Sequence, residues 1–300
     1  MLEIDAISRR YGSVVALERL SFAVEDGSIC GFVGPNGAGK TTAMRIILGV
    51  LAADDGEVRW DGGRIDGATR ARFGYMPEER GLYPKMRVAD QLEYFARLHG
   101  VPRGDAAAAA QRWIERMGLT ERARDRVEAL SLGNQQRVQL AAALVHEPVA
   151  LILDEPFSGL DPIGVDVMSE VLRERAGAGV PVLFSSHQLE LVERLCDSVA
   201  ILKAGRLVAF GPVAELRSRG GRGAWRIVVN VNVNGDGTDW IARVPGARVL
   251  QADARGLLVA LEDGADEQAL LDAARAAGRV WHFAREEPTL TELFKGVIAA

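Results

Sequence analysis

The segment Gly34-Pro35-Asn36-Gly37-Ala38-Gly39-Lys40-Thr41, followed by Thr42, has the residue types and the spacing to hold phosphate. Its glycines let successive backbone N–H groups converge on one centre, where they cradle the oxygens of a polyphosphate. A helix beginning directly behind the loop adds the positive end of its dipole. Lys40 supplies a point charge, and the Thr41 hydroxyl is a hard oxygen ligand suited to Mg²⁺. A glycine-rich turn with a chance lysine shares this composition, but not the apolar strand before it and the helix after it. Further along, Leu151-Ile152-Leu153-Asp154-Glu155 ends an apolar run on two carboxylates. Asp154 is the metal-side candidate, and Glu155 is placed to orient or deprotonate an attacking water. Alone, two such carboxylates are also what a solvent-facing strand terminus shows. Beside a phosphate loop they complete the donor set of nucleotide hydrolysis.

The pattern of the chain predicts the elements that must position these groups. Leu2 to Asp26 alternates apolar and polar residues and breaks at Tyr11-Gly12 and Asp26-Gly27, which predicts antiparallel strands and a hairpin. Ser28 to Val33 is a short buried strand feeding the glycine loop, and Thr42 to Leu51 carries helical periodicity. Another hairpin is predicted over Glu57 to Ile65, around Asp61-Gly62. From Val88 to about Val145 the pattern is mainly helical, with an alanine run at Ala106 to Ala110. Val149 to Leu153 reads as a strand buried on both faces of a parallel sheet. A helix, a strand Val182 to Ser185, a helix from Gln188 and a hairpin at Ala204-Gly205 follow. Strands alternating with helices predict an α/β core. The composition then shifts at Arg217 to Gly223, an Arg/Gly-rich stretch that reads as a solvated linker, although its arginines also suit an anionic surface. Beyond it come an edge-type strand Ile227 to Val233, a strand Leu257 to Leu261, a helix Asp266 to Ala277, a strand Val280 to Ala284 and a helix Thr289 to Ile298. The chain therefore divides into residues 1–217, with a helical insert at about 85–140, and a small α+β domain at 218–300. No internal repeat is visible.

Composition bounds the function class. With 48% hydrophobic and 26% charged residues the chain is an ordinary globular protein, and its net charge of −5 argues against a nucleic-acid partner. Cys30 and Cys196 lie in separate apolar segments and read as buried free thiols of a reducing compartment. No cationic start leads into an apolar signal core, and apolar runs such as Ile46 to Ala53 are far shorter than the ~20 residues of a spanning helix. His99, His146 and His282 show no metal-ligand spacing.

The motif order is specific. Gly34–Thr42, Leu130-Ser131-Leu132-Gly133-Asn134-Gln135-Gln136, Leu151–Pro156, Ser158-Gly159-Leu160-Asp161 and His187 together resemble the nucleotide-binding subunit of an ABC transporter, over residues 1 to about 217. The resemblance implies a P-loop ATPase with a parallel core sheet, an antiparallel β subdomain and a helical insert. Its cofactors would be ATP and Mg²⁺. It gives Tyr11 the place of an aromatic that stacks on adenine, flanked by Val15; such stacking is worth about 1–3 kcal/mol by analogy with nucleic acids. A tyrosine here also suits a hairpin core. The resemblance further implies that Ser131, Leu132, Gly133 and Gln135 form the signature that grips the γ-phosphate bound to an opposite subunit, its helix starting near Asn134. By itself the segment reads only as a helix cap, Ser-x-x-Asn. Asp161 would couple the two sites, and His187 would contact the γ-phosphate and position water.

Two positions depart from the family pattern. The lid-loop glutamine, a Mg²⁺ and coupling contact, is replaced by Glu78 within Tyr75-Met76-Pro77-Glu78-Glu79, and Leu132 and Asn134 replace the commoner glycine and glutamine of the signature. These departures, and the tail Glu287 to Phe294, resemble the ATPases of sodium- and drug-export transporters with separately encoded membrane subunits. The implied partners are a second ATPase subunit, a homodimer more readily than a heterodimer, and transmembrane permease subunits. The implied location is the cytoplasmic face of the cell membrane, reached through the permease. A ribosome-directed ATPase of the same superfamily usually carries two cassettes per chain, and only one is present here; the ATPase alone leaves export against import open. Because a carboxylate ligates Mg²⁺ directly or through water, Glu78→Gln is expected to keep ATP affinity within several-fold in a fluorescent-nucleotide titration. A larger loss would make the carboxylate itself a needed metal ligand.

Overall fold

A computed structural model describes residues 1–79, 81–219, 224–231, 238–253, 256–262, 264–286 and 289–299. Four stretches of the sequence reading lie outside the described residues: Arg80 of the lid loop, Gly220 to Gly223 of the linker, Asn232-Val233 and Glu287-Pro288. Contacts divide the chain into Met1–Pro212 and Val213–Ala300, where the composition break puts the boundary at 217/218.

The first unit opens on β1 (Leu2–Tyr11) and β2 (Val14–Val24), an antiparallel pair in which Leu2 faces Val24 and Tyr11 faces Val14. Then follow β3 (Ile29–Val33), α1 (Lys40–Ile47), β4 (Asp55–Trp60), β5 (Gly63–Arg64), α2 (Gly67–Arg70) and β6 (Phe73–Met76). The β4–β5 turn puts Asp61 at φ 51° and Gly62 at φ 76°; two successive positive φ values give the turn whose twist matches a hairpin. The helical insert comprises α3 (Val88–Leu98), α4 (Arg103–Arg116) and α5 (Leu132–Leu144). In the alanine run Ala106, Ala109 and Ala110 are buried; side chains this small let helices approach closely. The unit closes with β7 (Ala150–Leu153), α6 (Pro162–Gly177), β8 (Val182–Ser186), α7 (Leu189–Leu195), β9 (Ser198–Lys203) and β10 (Arg206–Pro212).

Two sheets result. One is antiparallel, in the order β2-β1-β4-β5; the other is six-stranded, in the order β10-β9-β3-β8-β7-β6. Within the second, β3 pairs in parallel with β8 and β9, and β7 with β8 and β6, while β10 runs antiparallel at the edge. The sheet core is parallel, as the unbroken apolar runs predict: every residue of β3, β7 and β8 is buried. The short strand β6 is not predicted, because Phe73-Gly74-Tyr75-Met76 is too brief to show a period. Phe22 of β2 stacks on Phe32 of β3 at 5.2 Å, joining the two sheets through one apolar core with α1. Cys30 and Cys196 are free and buried, and burial pushes the Cys30 thiol up to about 12. Among the described residues no helix is long and apolar enough to cross a membrane.

The second unit contains α8 (Val213–Arg219), β11 (Ala224–Val231), β12 (Ala247–Asp253), β13 (Gly256–Leu261), α9 (Glu267–Ala277), β14 (Gly278–Glu286) and α10 (Leu290–Ala299). Its sheet order is β12-β13-β11-β14. The strand over Ile227 is therefore not an edge: β11 pairs with β13 on one side and β14 on the other. The Val/Asn alternation that suggests an edge begins only at its far end. Earlier in the strand, Ile227 is fully buried in the apolar core, and Arg226 is matched by Glu286 at 2.6 Å.

At the base of the insert two histidines stack, His99 after α3 and His146 after α5, with ring centroids 3.8 Å apart. Each bonds the chain entering β6, His99 Nδ1 to the Ala71 carbonyl at 3.1 Å and His146 Nε2 to the Phe73 carbonyl at 3.3 Å. Burial, with the His99 ring adding to it, pushes His146 from 6.5 down to about 4. As pH falls below 6.5 the unfolded chain takes up a proton that the folded chain refuses, so the stability carried by the neutral ring is lost between about pH 6.5 and about 4. His146→Phe, which keeps the stack and cannot titrate, is expected to show a smaller fall in Tm between about pH 7 and about pH 5 than the unsubstituted protein. Equal falls in the two proteins would remove His146 from the acid response.

Candidate functional site

The buried strand β3 delivers the chain into the glycine loop, and α1 starts at Lys40 with Gly39 as its cap. Gly39 has φ 107°, and a Cβ there would meet the Ala16 carbonyl oxygen at 2.5 Å, so only glycine fits this position. Having no side chain, it also leaves the end of the helix without a side-chain cap. Lys40 is 9% exposed and folds back over the loop, its Nζ donating to the Gly34 carbonyl at 2.7 Å and the Pro35 carbonyl at 3.3 Å. The ammonium is thereby fixed at the loop centre, with donor capacity for three bonds.

An open cleft of about 450 Å³ lies over this loop. Its walls include Asn36 to Thr42, Tyr11, Val14 and Val15 from the β1–β2 hairpin, and the carboxylates Glu78, Asp154 and Glu155. Residues distant in sequence thus share one cavity. Tyr11 is 48% exposed and lines it instead of entering a hairpin core, with the Arg9 guanidinium 5.1 Å from its ring centre. Glu78 follows β6, which pairs with β7 from Phe73↔Ala150 to Met76↔Leu153, so parallel register brings the lid loop beside Asp154.

The two carboxylates sit where β7 leaves the sheet. Asp154 is 1% exposed; its Oδ1 accepts from the Ser185 hydroxyl at 2.6 Å, and its buried Oδ2 has no protein partner. Glu155 adopts φ 50°, the left-handed region, at a cost of about 1 kcal/mol for a residue with a side chain. Three contacts hold it there: its N–H donates to Ser185 Oγ at 2.8 Å, its carbonyl accepts from Gln136 Nε2 at 3.2 Å, and its Oε2 lies 2.9 Å from His187 Nδ1. Burial raises the Glu155 carboxyl above its ordinary range, while His187 and Lys40 pull the other way. Ser185 and Gln136 carry no role in the sequence reading. The signals were a hydroxyl closing an apolar strand and a second glutamine on the helix behind Ser131.

The remaining sequence candidates lie elsewhere. Ser131 is exposed and caps α5 by accepting from the Asn134 N–H at 3.4 Å. The helix begins at Leu132, two residues earlier than expected, because the serine takes the cap position itself. Leu132 is 56% exposed, and Gly133 sits against Gly159-Leu160. Gln135 spends its amide on the carbonyls of Val127 and Leu130, at 3.1 and 3.0 Å. Asp161 caps α6, accepting from the Gly164 N–H at 2.6 Å. None of these residues lines the cleft.

Asp154 Oδ2, the Thr41 hydroxyl and the Glu78 carboxylate are hard oxygens, the donor type that suits Mg²⁺. Among the described residues no cluster of three or more His, Cys, Asp or Glu forms a closed metal cage.

Comparison with known proteins adds to this geometry. Residues 17–158 match the family described as ABC transporter, and residues 211–298 match the C-terminal domain of proteins like the ATP-binding proteins DrrA1-3. The chain is 39% identical over 298 residues to the uncharacterized ABC transporter ATP-binding protein YhaQ of Bacillus subtilis (strain 168), covering 98% of this chain and 97% of that one. It is 33% identical over 299 residues to the daunorubicin resistance ATP-binding protein DrrA3 of Streptomyces coeruleorubidus, covering 98% and 94%. A solved ATP-binding subunit of an ABC transporter superimposes with a TM-score of 0.68 at 32% identity, over 73% of this chain and 92% of that one.

The crowding at Gly39 yields a direct test. Gly39→Ala combines a disfavoured φ with a backbone clash, so it is expected to lower unfolding stability by about 2 kcal/mol or more and to abolish nucleotide binding. Denaturant unfolding and nucleotide titration measure the two effects. An unchanged midpoint would show that the loop relaxes without loss.

Proposed function

The chain belongs to the ATP-binding subunits of ABC transporters, enzymes that hydrolyse ATP to drive transport, and from that premise we propose that it powers an exporter of drug-like or other small molecules. One observation carries the reading of the site: Lys40 on its glycine loop and the pair Asp154 and Glu155 face a single cleft, with His187 on Glu155. The full-length similarity to a daunorubicin resistance protein, including the C-terminal domain, supports export of a small molecule.

In this reading the loop N–H groups, the start of α1 and Lys40 bind the β- and γ-phosphates, and Tyr11 and Val15 take the adenine. Thr41 and Asp154, with Glu78 directly or through water, would hold Mg²⁺, which when bound neutralises charge on the phosphates. Glu155 accepts a proton from the attacking water. Burial keeps its basicity up, which a general base requires, and the nearby Lys40 limits the shift. His187, 64% exposed in its side chain, bonds Glu155 Oε2 at 2.9 Å, and in this reading it contacts the γ-phosphate and helps position the water. Most of the rate enhancement then comes from positioning and fixed charge.

Ser131 and Gly133 are exposed or half-exposed and away from their own cleft. This supports a sandwich in which a second copy's signature closes each cleft and Asp161 links the two sites. The moving parts would be the insert α3–α5 and the lid loop at Glu78, acting on separately encoded permease subunits at the inner membrane face.

Glu155→Gln keeps size and hydrogen bonding but removes the base. It is expected to bind ATP normally, to lose turnover by at least about 100-fold, and to accumulate an ATP-bound dimer in size-exclusion chromatography. Near-normal hydrolysis by this variant would take Glu155 out of the catalytic role.

A further inference from the structure

The parallel strands β7 and β8 stay in register up to Leu153↔Phe184. Two residues later the partnership changes character. Glu155 adopts the left-handed region at φ 50°, and its N–H is taken by a side chain of β8 instead of by the strand's backbone. At that point β8 presents Ser185, fully buried, whose backbone is paired on its other side with Phe32 of β3. The hydroxyl accepts the Glu155 N–H at 2.8 Å and donates to Asp154 Oδ1 at 2.6 Å. A hydroxyl has one proton, and because its oxygen receives the Glu155 N–H, that proton is committed to Asp154. One carboxylate oxygen is therefore pinned, and the other, Oδ2, is left buried without a protein partner.

We propose that Ser185 is a positioning residue for hydrolysis: its single hydroxyl sets the free oxygen of Asp154 toward the cation and holds Glu155 in the backbone conformation that aims its carboxylate at water. The proposal rests on the roles given above to Asp154 and Glu155. An aliphatic side chain at 185 would leave two buried polar groups unpaired, a backbone N–H and a carboxylate oxygen, and the carboxylate would be free to rotate. Glu155 would also lose one of the three contacts that offset its left-handed backbone. Threonine keeps the hydroxyl; alanine and cysteine remove or weaken it.

The test uses the full chain with Ser185→Ala and Ser185→Thr, beside Asp154→Asn and Glu155→Gln. Binding of a fluorescent ATP analogue is measured in EDTA, Mn²⁺ binding is followed by electron paramagnetic resonance with a non-hydrolysable ATP analogue, and kcat and KM are measured separately. Ser185→Ala is expected to bind nucleotide in EDTA within about twofold of the unsubstituted chain, to need about 10–100-fold more Mn²⁺ for half-saturation, and to lose kcat about tenfold or more with little change in KM. Ser185→Thr is expected to recover Mn²⁺ binding and kcat to within about threefold. Unchanged Mn²⁺ binding and kcat in Ser185→Ala would overturn the proposal, and so would a threonine variant as impaired as the alanine one. A fall in Tm with no change in Mn²⁺ binding would reduce Ser185 to a packing residue and overturn it equally. If Ser185→Ala does not fold, Ser185→Cys carries the same comparison, because its thiol keeps the volume and donates weakly. Normal turnover by Asp154→Asn and Glu155→Gln would sink the underlying assignment of the carboxylates; their loss of turnover beside a silent Ser185→Ala would sink this inference alone.

Discussion

A strand buried on both faces of a sheet has no side-chain position left for polar chemistry except where the strand stops, and this constraint governs the catalytic unit. The residues of β3, β7 and β8 are all buried, and because these strands run in parallel their chemistry emerges at one edge. From β3 comes the glycine loop with Lys40, from β7 Asp154 and Glu155, from β8 Ser185 and His187, and from the neighbouring β6 the loop with Glu78. None of these groups needs to be close in sequence. Parallel register, Phe32↔Ser185 and Leu153↔Phe184, brings the strand ends level.

Once the ends are level, local polarity has to be managed, because each terminus exposes backbone that the ladder no longer satisfies. The solutions are specific. Lys40 bonds carbonyls of its own loop, Gln136 takes the carbonyls of Glu155 and Pro156, and Ser185 takes the Glu155 N–H. The carboxylates are balanced in turn. Burial raises Glu155, while Lys40 and His187 restrain that rise. Asp154 spends one oxygen on Ser185 and keeps the other. The result is a set of fixed dipoles and charges that need little rearrangement when a phosphate arrives, which is the condition for electrostatic catalysis.

The same cleft is open on one side, and the signature segment of its own chain does not close it. Ser131 at the start of α5 presents a helix N-terminus outward, with Leu132 exposed beside it. In the proposed sandwich, this is the surface that would close the cleft of a second copy. The link back to chemistry is short: Gln136, on the first turns of that helix, bonds the carbonyl of Glu155. A shift of α5 on closure would therefore reach the water-side carboxylate through one side chain.

Much of this was legible in the chain. The glycine spacing demands converging N–H groups, the unbroken run Val149 to Leu153 demands a strand buried on both faces, and Asp61-Gly62 demands a hairpin turn; each follows from local sterics or periodicity. The order of the motifs identified the family. The tertiary structure alone decided what depends on distant partners. It made β11 an inner strand, since a strand's neighbours are not encoded in its own alternation, and it revealed β6, four residues whose strand character comes from pairing with β7. It also turned Ser185 from one more residue of an apolar strand into the joint between two carboxylates. A hydroxyl in a strand has no meaning until register sets it opposite an N–H that has left the ladder. Sequence fixes which groups a chain can offer, and only packing decides which of them meet.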